Sequence, residues 1–165
     1  MTTFQPIHIG DSGWRAIYTA GFSADRLSAI ALALSQLYPA QKILIGFDNR
    51  FLSKEFAHHL AILLRSQKWK VTLISDSFPT PGVAKEVKEK NYDWGFVITA
   101  SHNPYYYTVI KILDSNGVLI QRSLIHEIEE KANELLQREK MPPFDPQNKF
   151  CVYYKNGNRN LIMLH

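Results

Sequence analysis

Cysteine occurs once, at Cys151, so no disulfide closes within the chain and no cysteine-rich zinc module is possible. No apolar run approaches the roughly 20 residues that cross a bilayer. The opening Met1-Thr2-Thr3-Phe4-Gln5-Pro6 lacks both the basic and the apolar region of a signal peptide. These absences predict a soluble cytoplasmic protein with no membrane partner. Internal repeats and low-complexity tracts are missing too. Charge is nearly balanced: 19 Lys+Arg against 15 Asp+Glu leave a net +4. The basic residues alternate with glutamates and form no stripe, which argues against nucleic acid as a partner. What remains is 165 residues, 45% hydrophobic and 21% charged, enough for one well-buried domain.

Short apolar runs mark strands at Ile43–Phe47, Val71–Ile74, Gly95–Thr99 and Thr108–Leu113. The first three are almost continuously apolar, as strands buried on both faces are. Helical spacing fills the intervals. Leu27, Ile30, Ala31, Leu34 and Leu37 follow Ser23, a candidate N-cap. Phe56, Leu60, Leu63 and Leu64 follow Ser53 in the same way, a shorter helix is expected over Gly82–Lys90, and a longer one follows Ser123. The alternation predicts a three-layer α/β/α sandwich on a mixed, mostly parallel sheet. Met141-Pro142-Pro143-Phe144-Asp145-Pro146 then reads as a linker. Residues 148–165 are too short for a domain and suit a hairpin about Asn156-Gly157, or an unfinished element.

Ligands of open α/β sheets sit beyond the carboxyl ends of the strands. Three loops qualify: Asp48-Asn49-Arg50, Asp76 to Pro81, and Ala100-Ser101-His102-Asn103-Pro104. The last places a hydroxyl, an imidazole and a carboxamide in consecutive positions. A hydrolase triad is disfavoured, because there is no G-x-S-x-G elbow and adjacent side chains on extended backbone point apart. A phosphorylated or phosphate-binding loop fits better, and it needs cations. Lys111, ten positions after Ser101, and Arg15 in Gly10-Asp11-Ser12-Gly13-Trp14-Arg15 are the candidates. Asp48 and Arg50 read as local ion-pair scaffolding. His58 and His59 are adjacent on a helix and make a poor metal pair. His8, His126 and His165 have no evident partner.

Thr99-Ala100-Ser101-His102-Asn103-Pro104 with the later lysine resembles the phosphoserine loop of the α-D-phosphohexomutases, the phosphoglucomutase and phosphomannomutase superfamily. The Gly10–Arg15 turn, Gly46-Phe47-Asp48-Asn49-Arg50 with Ser53, and Pro79-Thr80-Pro81 resemble further family motifs in the same order. The resemblance implies an isomerase of carbohydrate metabolism that interconverts hexose 1- and 6-phosphates by intramolecular phosphotransfer. It makes Ser101 the phosphoryl carrier, Arg15 and Lys111 its flanking cations, and His102 a hydrogen-bonding or acid/base partner. Asn103, Asp48 and Arg50 would support the loop. It implies Mg²⁺, held here through the phosphate on Ser101 alone, and a hexose 1,6-bisphosphate activator. The aspartate ligands of the metal lie in a second family domain.

The implied organisation is a first mutase domain over residues 1–140, a Pro-rich linker over 141–147, and an extension over 148–165 that begins a missing domain. Turnover would then require downstream domains, supplied in trans if not in the same chain. The alternative is a non-catalytic phosphosugar-binding or interaction module. Two local departures bear on the site. Thr108-Val109 stand where the family has Asn-Gly, which strains Val109 if that backbone needs φ > 0. Asp11 replaces a threonine and is expected to turn an extra carboxylate toward the phosphoserine.

Overall fold

The computed structural model describes residues 5–17, 23–39, 41–100, 102–104, 106–138 and 140–145, and the backbone of 153–154 and 161–163. Ser101 lies outside the described residues, as do Cys151 and the Asn156-Gly157 turn. The elements run β1 (Ile9–Gly10), β2 (Gly13–Ile17), α1 (Ala24–Leu37), β3 (Lys42–Phe47), α2 (Ser53–Ser66), β4 (Lys70–Ile74), α3 (Thr80–Glu89), β5 (Trp94–Thr99), β6 (Tyr107–Leu113), α4 (Arg122–Arg138), β7 (Tyr153–Tyr154) and β8 (Leu161–Met163).

One sheet carries all the strands, in the order β1-β2-β6-β5-β3-β4-β8-β7. The helices α2 and α3 act as crossovers, which makes β4, β3 and β5 mutually parallel. The sandwich and the mixed sheet are as expected, but the parallel part is confined to these central strands. The connection from β5 to β6 is too short to hold a crossover helix, so β6 returns antiparallel. β2 is antiparallel to β6, and β8 to β4. β7 and β8 pair antiparallel, the hairpin reading of the tail.

Three helices, α1, α2 and α4, share a core with Ile43, Ile45, Phe96, Ile98, Ile110 and Ile112. α3 covers the opposite face over Leu44, Ile74, Val97 and Leu113. It lies so close that a Cβ on Gly46 would meet Val83 Cγ2 at 2.5 Å. Ser23 caps α1, accepting from Arg26 N–H at 3.3 Å. α1 is not the two-faced helix that its apolar spacing predicts. Every residue from Leu27 to Ser35 is buried, because α2 packs on one side and α4 on the other. Its buried hydroxyls are satisfied: Ser35 donates to Leu32 O at 2.8 Å, and Ser28 Oγ lies 2.6 Å from His59 Nε2 on α2.

The Pro-rich segment is docked rather than free over its described part. Met141 is buried, and Phe144 stacks on Phe56 at 5.0 Å and meets the edge of His59 at 5.4 Å. At the other end of the chain, Gly13 opens β2 with φ 113°, and a Cβ there would lie 2.3 Å from Ile110 O. Only glycine fits that entry.

Candidate functional site

The loops after β3 and β5 lie side by side because their strands are parallel neighbours. Asp48 joins them. Its Oδ1 accepts from Arg50 N–H at 3.0 Å and from the Ser53 hydroxyl at 2.8 Å, while Oδ2 accepts from Ala100 N–H at 3.0 Å. The Arg50 guanidinium adds a second tie, donating to Asn103 O at 2.9 Å, with its Nε 3.9 Å from Asp48 Oδ2. Asn103 closes the turn locally: its backbone N–H and its Nδ2 each donate to Ala100 O at 2.9 Å. The chain is thus held immediately before position 101 and again at 103.

Ser53 does a different job from the one its position predicts. It is the buried first residue of α2, not a cap, and its hydroxyl goes to Asp48. The N-cap is Leu52, in the left-handed region at φ 60°, ψ 0°, with no side-chain cap bond. That conformation costs a non-glycine residue on the order of 1 kcal/mol.

Arg15 and Lys111 are brought to one face of the sheet. Arg15 on β2 pairs with Val109, and Lys111 stands two residues further along β6, opposite Val97. Such diagonal neighbours have Cα atoms roughly 7–8 Å apart. Arg15 is exposed and Lys111 half-buried. Neither meets a carboxylate among the described residues. His102 is exposed.

Both departures have local explanations. Val109 lies in regular strand between Arg15 and Thr99, and its φ is not positive, so it carries no backbone strain. Asp11 sits in the turn from β1 to β2, beside the Leu113 end of the sheet, whereas Ala100 follows the opposite end. Its carboxylate pairs with Arg122 Nη1 on α4 at 2.8 Å and does not turn toward the serine loop. Pro79 is the N-cap residue of α3, so the Pro-Thr-Pro run is structural.

His8 and His126 are better partnered than the sequence suggests, while His165 lies outside the described residues. His8 Nδ1 is 3.4 Å from Glu129, and His126 Nε2 is 3.4 Å from Glu130. A cleft of about 290 Å³ lies there, at the start of α4 and away from the loops above. Among the described residues no three His, Cys, Asp or Glu side chains converge to hold a metal. Nor is any helix there long and apolar enough to cross a membrane. The left-handed turn at Leu52 leaves no periodic signal in the sequence.

Residues 6–139 match the family model described as phosphoglucomutase/phosphomannomutase, alpha/beta/alpha domain I. A phosphoglucomutase of Staphylococcus saprophyticus is 31% identical over 161 residues, covering 92% of this chain and 28% of that protein. A phosphoglucosamine mutase of Caldicellulosiruptor bescii is 34% identical over 122 residues, covering 74% and 26%. A crystal structure assigned as a putative phosphomannomutase of Thermus thermophilus superposes with a TM-score of 0.75 at 30% identity, over 79% of this chain and 30% of that one. The chain spans about a quarter of the length of these curated relatives.

Proposed function

Because the chain belongs to the phosphoglucomutase/phosphomannomutase family, as its first α/β/α domain, we propose that it carries a transferable phosphoryl group on Ser101 and serves the interconversion of hexose 1- and 6-phosphates. The phosphoryl group leaves the serine oxygen, which takes up a proton, for a sugar hydroxyl, whose proton passes to a neighbouring base. The bisphosphate then turns over, and its other phosphoryl group returns to the serine. Phosphoryl transfer of this kind rests on positioning and charge stabilisation.

The observation that supports this reading most is the double tie around position 101. Asp48 holds the N–H just before it and Arg50 the carbonyl at Asn103. A loop pinned on both sides loses little freedom when its hydroxyl reacts. Arg15 and Lys111 supply positive charge on a neighbouring sheet face, a guanidinium fork and an ammonium point charge. His102, exposed in the same loop, is the group to exchange protons with the reacting oxygens.

Mg²⁺ would be held through the phosphate on Ser101, where it would neutralise developing charge. The described residues provide no carboxylate set for it. Residues 1–140 are assigned to the first domain and 141–147 to the connection that docks on it; within 148–165, β7 and β8 extend the same sheet beside β4, and the relatives' greater length supports further domains.

Mass spectrometry after incubation with glucose 1,6-bisphosphate tests the reading. A phosphoryl group is expected on Ser101 and absent in Ser101→Ala. Its transfer should slow by about 100-fold in Arg15→Ala or Lys111→Ala. A wild-type chain that stays unmodified yet binds the sugar phosphate supports the non-catalytic module instead.

A further inference from the structure

The chain covers the two sides of its sheet by different means. Beside β1, side chains of α4 take the backbone groups that a further strand would need. Asn133 accepts the Ile7 N–H at 2.7 Å and donates its Nδ2 to Ile7 O at 3.0 Å, and Glu129 Oε2 accepts the Ile9 N–H at 2.7 Å. A strand added there would have to break these bonds.

Beside β4 the cover is backbone. β8 runs antiparallel to β4, with Thr72 opposite Met163, Leu73 opposite Ile162 and Ile74 opposite Leu161. β7 then pairs with β8. Strands of two and three residues make a hairpin with little stability of its own. The strand it covers is the more adhesive one. Lys70-Val71-Thr72-Leu73-Ile74 is β-prone and free of proline, has a single charge, and is buried from Val71 to Ile74. Bared, such an edge is a template for another strand.

The strand that fits it best is β4 of a second copy. β8 shows that the place takes an antiparallel strand, and a two-fold axis pairs a strand with itself in that direction. Centred on Thr72, this pairing sets Val71 opposite Leu73 and Lys70 opposite Ile74. The two lysines do not face each other, and all five residues of β4 pair where β8 offers three.

We propose that the β7–β8 hairpin is an intramolecular guard over a self-association edge, and that its release lets two chains join through β4. The tether gives the guard an effective concentration on the order of mM, so the wild-type chain stays monomeric at about 10 μM. The guard is independent of the chemistry proposed for Ser101. Sedimentation velocity of the full chain tests it. Ile162→Pro removes an N–H from the middle of β8, outside the matched residues 6–139. This variant should dimerise at about 100-fold lower concentration than the wild type. A cysteine reports the pairing. In a Cys151→Ser background, Thr72→Cys at the two-fold axis has its counterpart roughly 4.5–5.5 Å away between Cα atoms, within disulfide reach. It should cross-link two chains when combined with Ile162→Pro, and not with the native tail, where position 72 faces Met163. Hydrogen exchange over β4 completes the test. A monomeric Ile162→Pro chain whose β4 amides exchange faster overturns the proposal, since the edge is then bare and unpaired. One whose β4 amides stay as protected as in the wild type overturns it too, because β8 is then no guard. A dimer that does not cross-link through position 72, or a wild-type chain that does, has the same effect.

Discussion

Asp48 carries three donors on two oxygens: the N–H groups of Arg50 and Ala100 and the hydroxyl of Ser53. Asparagine in its place offers one carbonyl oxygen and turns an NH₂ toward groups that also donate. Asp48→Asn is therefore expected to lower stability by about 1–3 kcal/mol, the cost of leaving a partly buried donor unsatisfied. Urea unfolding measures this, and an unchanged midpoint would mean that the tie is not formed in solution. The spacing Asp-x-Arg at a strand end made these two residues legible as scaffolding. Ser53 was legible only as a polar residue before a helix, a signature shared by caps and by inward hydrogen bonds. Its partner lies five positions back across a tight turn, and no local rule specifies that geometry. The strain expected at Val109 rested on one substitution read alone. Strand pairing to both neighbours removes it.

Among the elements, α1 and α2 meet through a buried polar contact. Ser28 Oγ and His59 Nε2 are 2.6 Å apart, with Phe144 against the imidazole. Burial pushes the pKa of His59 below the usual histidine value, against the opposing pull of Asp25. Burial, helped by Lys54 and opposed by Glu55, pushes His58 down as well. As pH falls below the ordinary histidine pKa of about 6.5, the unfolded chain binds protons that the folded chain resists. Their contribution is complete above that value and is lost as pH falls toward the folded pKa values. The urea midpoint should thus drop between about pH 7.5 and pH 5.5, and His59→Gln should flatten the curve. A midpoint indifferent to pH in both proteins counts against the buried imidazole. At this scale the sequence was most readable. Short apolar runs located β3, β4, β5 and β6, and helical spacing located α1, α2, α3 and α4. Strand direction was less readable, since it depends on whether a connection holds a crossover helix. The two-residue β1 is below the length at which periodicity exists.

For the molecule as a whole, charge is the deciding quantity. A mutase passes through an intermediate with a phosphate at each end, and each phosphate needs compensation while the sugar turns over. The described residues gather Arg15 and Lys111 on one sheet face. They bring together no metal-ligating set. The relatives devote roughly another three-quarters of their length to other parts, since this chain covers 28% and 26% of two of them. The 165-residue chain should therefore accept a phosphoryl group at Ser101 yet show no multiple turnover of glucose 1-phosphate to glucose 6-phosphate with Mg²⁺. Turnover should appear on mixing with a polypeptide that carries the remaining part of the Staphylococcus saprophyticus relative. A coupled assay for glucose 6-phosphate reads both conditions. Sustained turnover by the chain alone would mean that a second phosphate site exists within it, and the assignment of the catalytic charges to Arg15 and Lys111 would have to be redrawn. A phosphorylated Ser101 with no rescue by the added polypeptide would instead mean that the docking surface between the parts has diverged, while the chemistry at the serine remains.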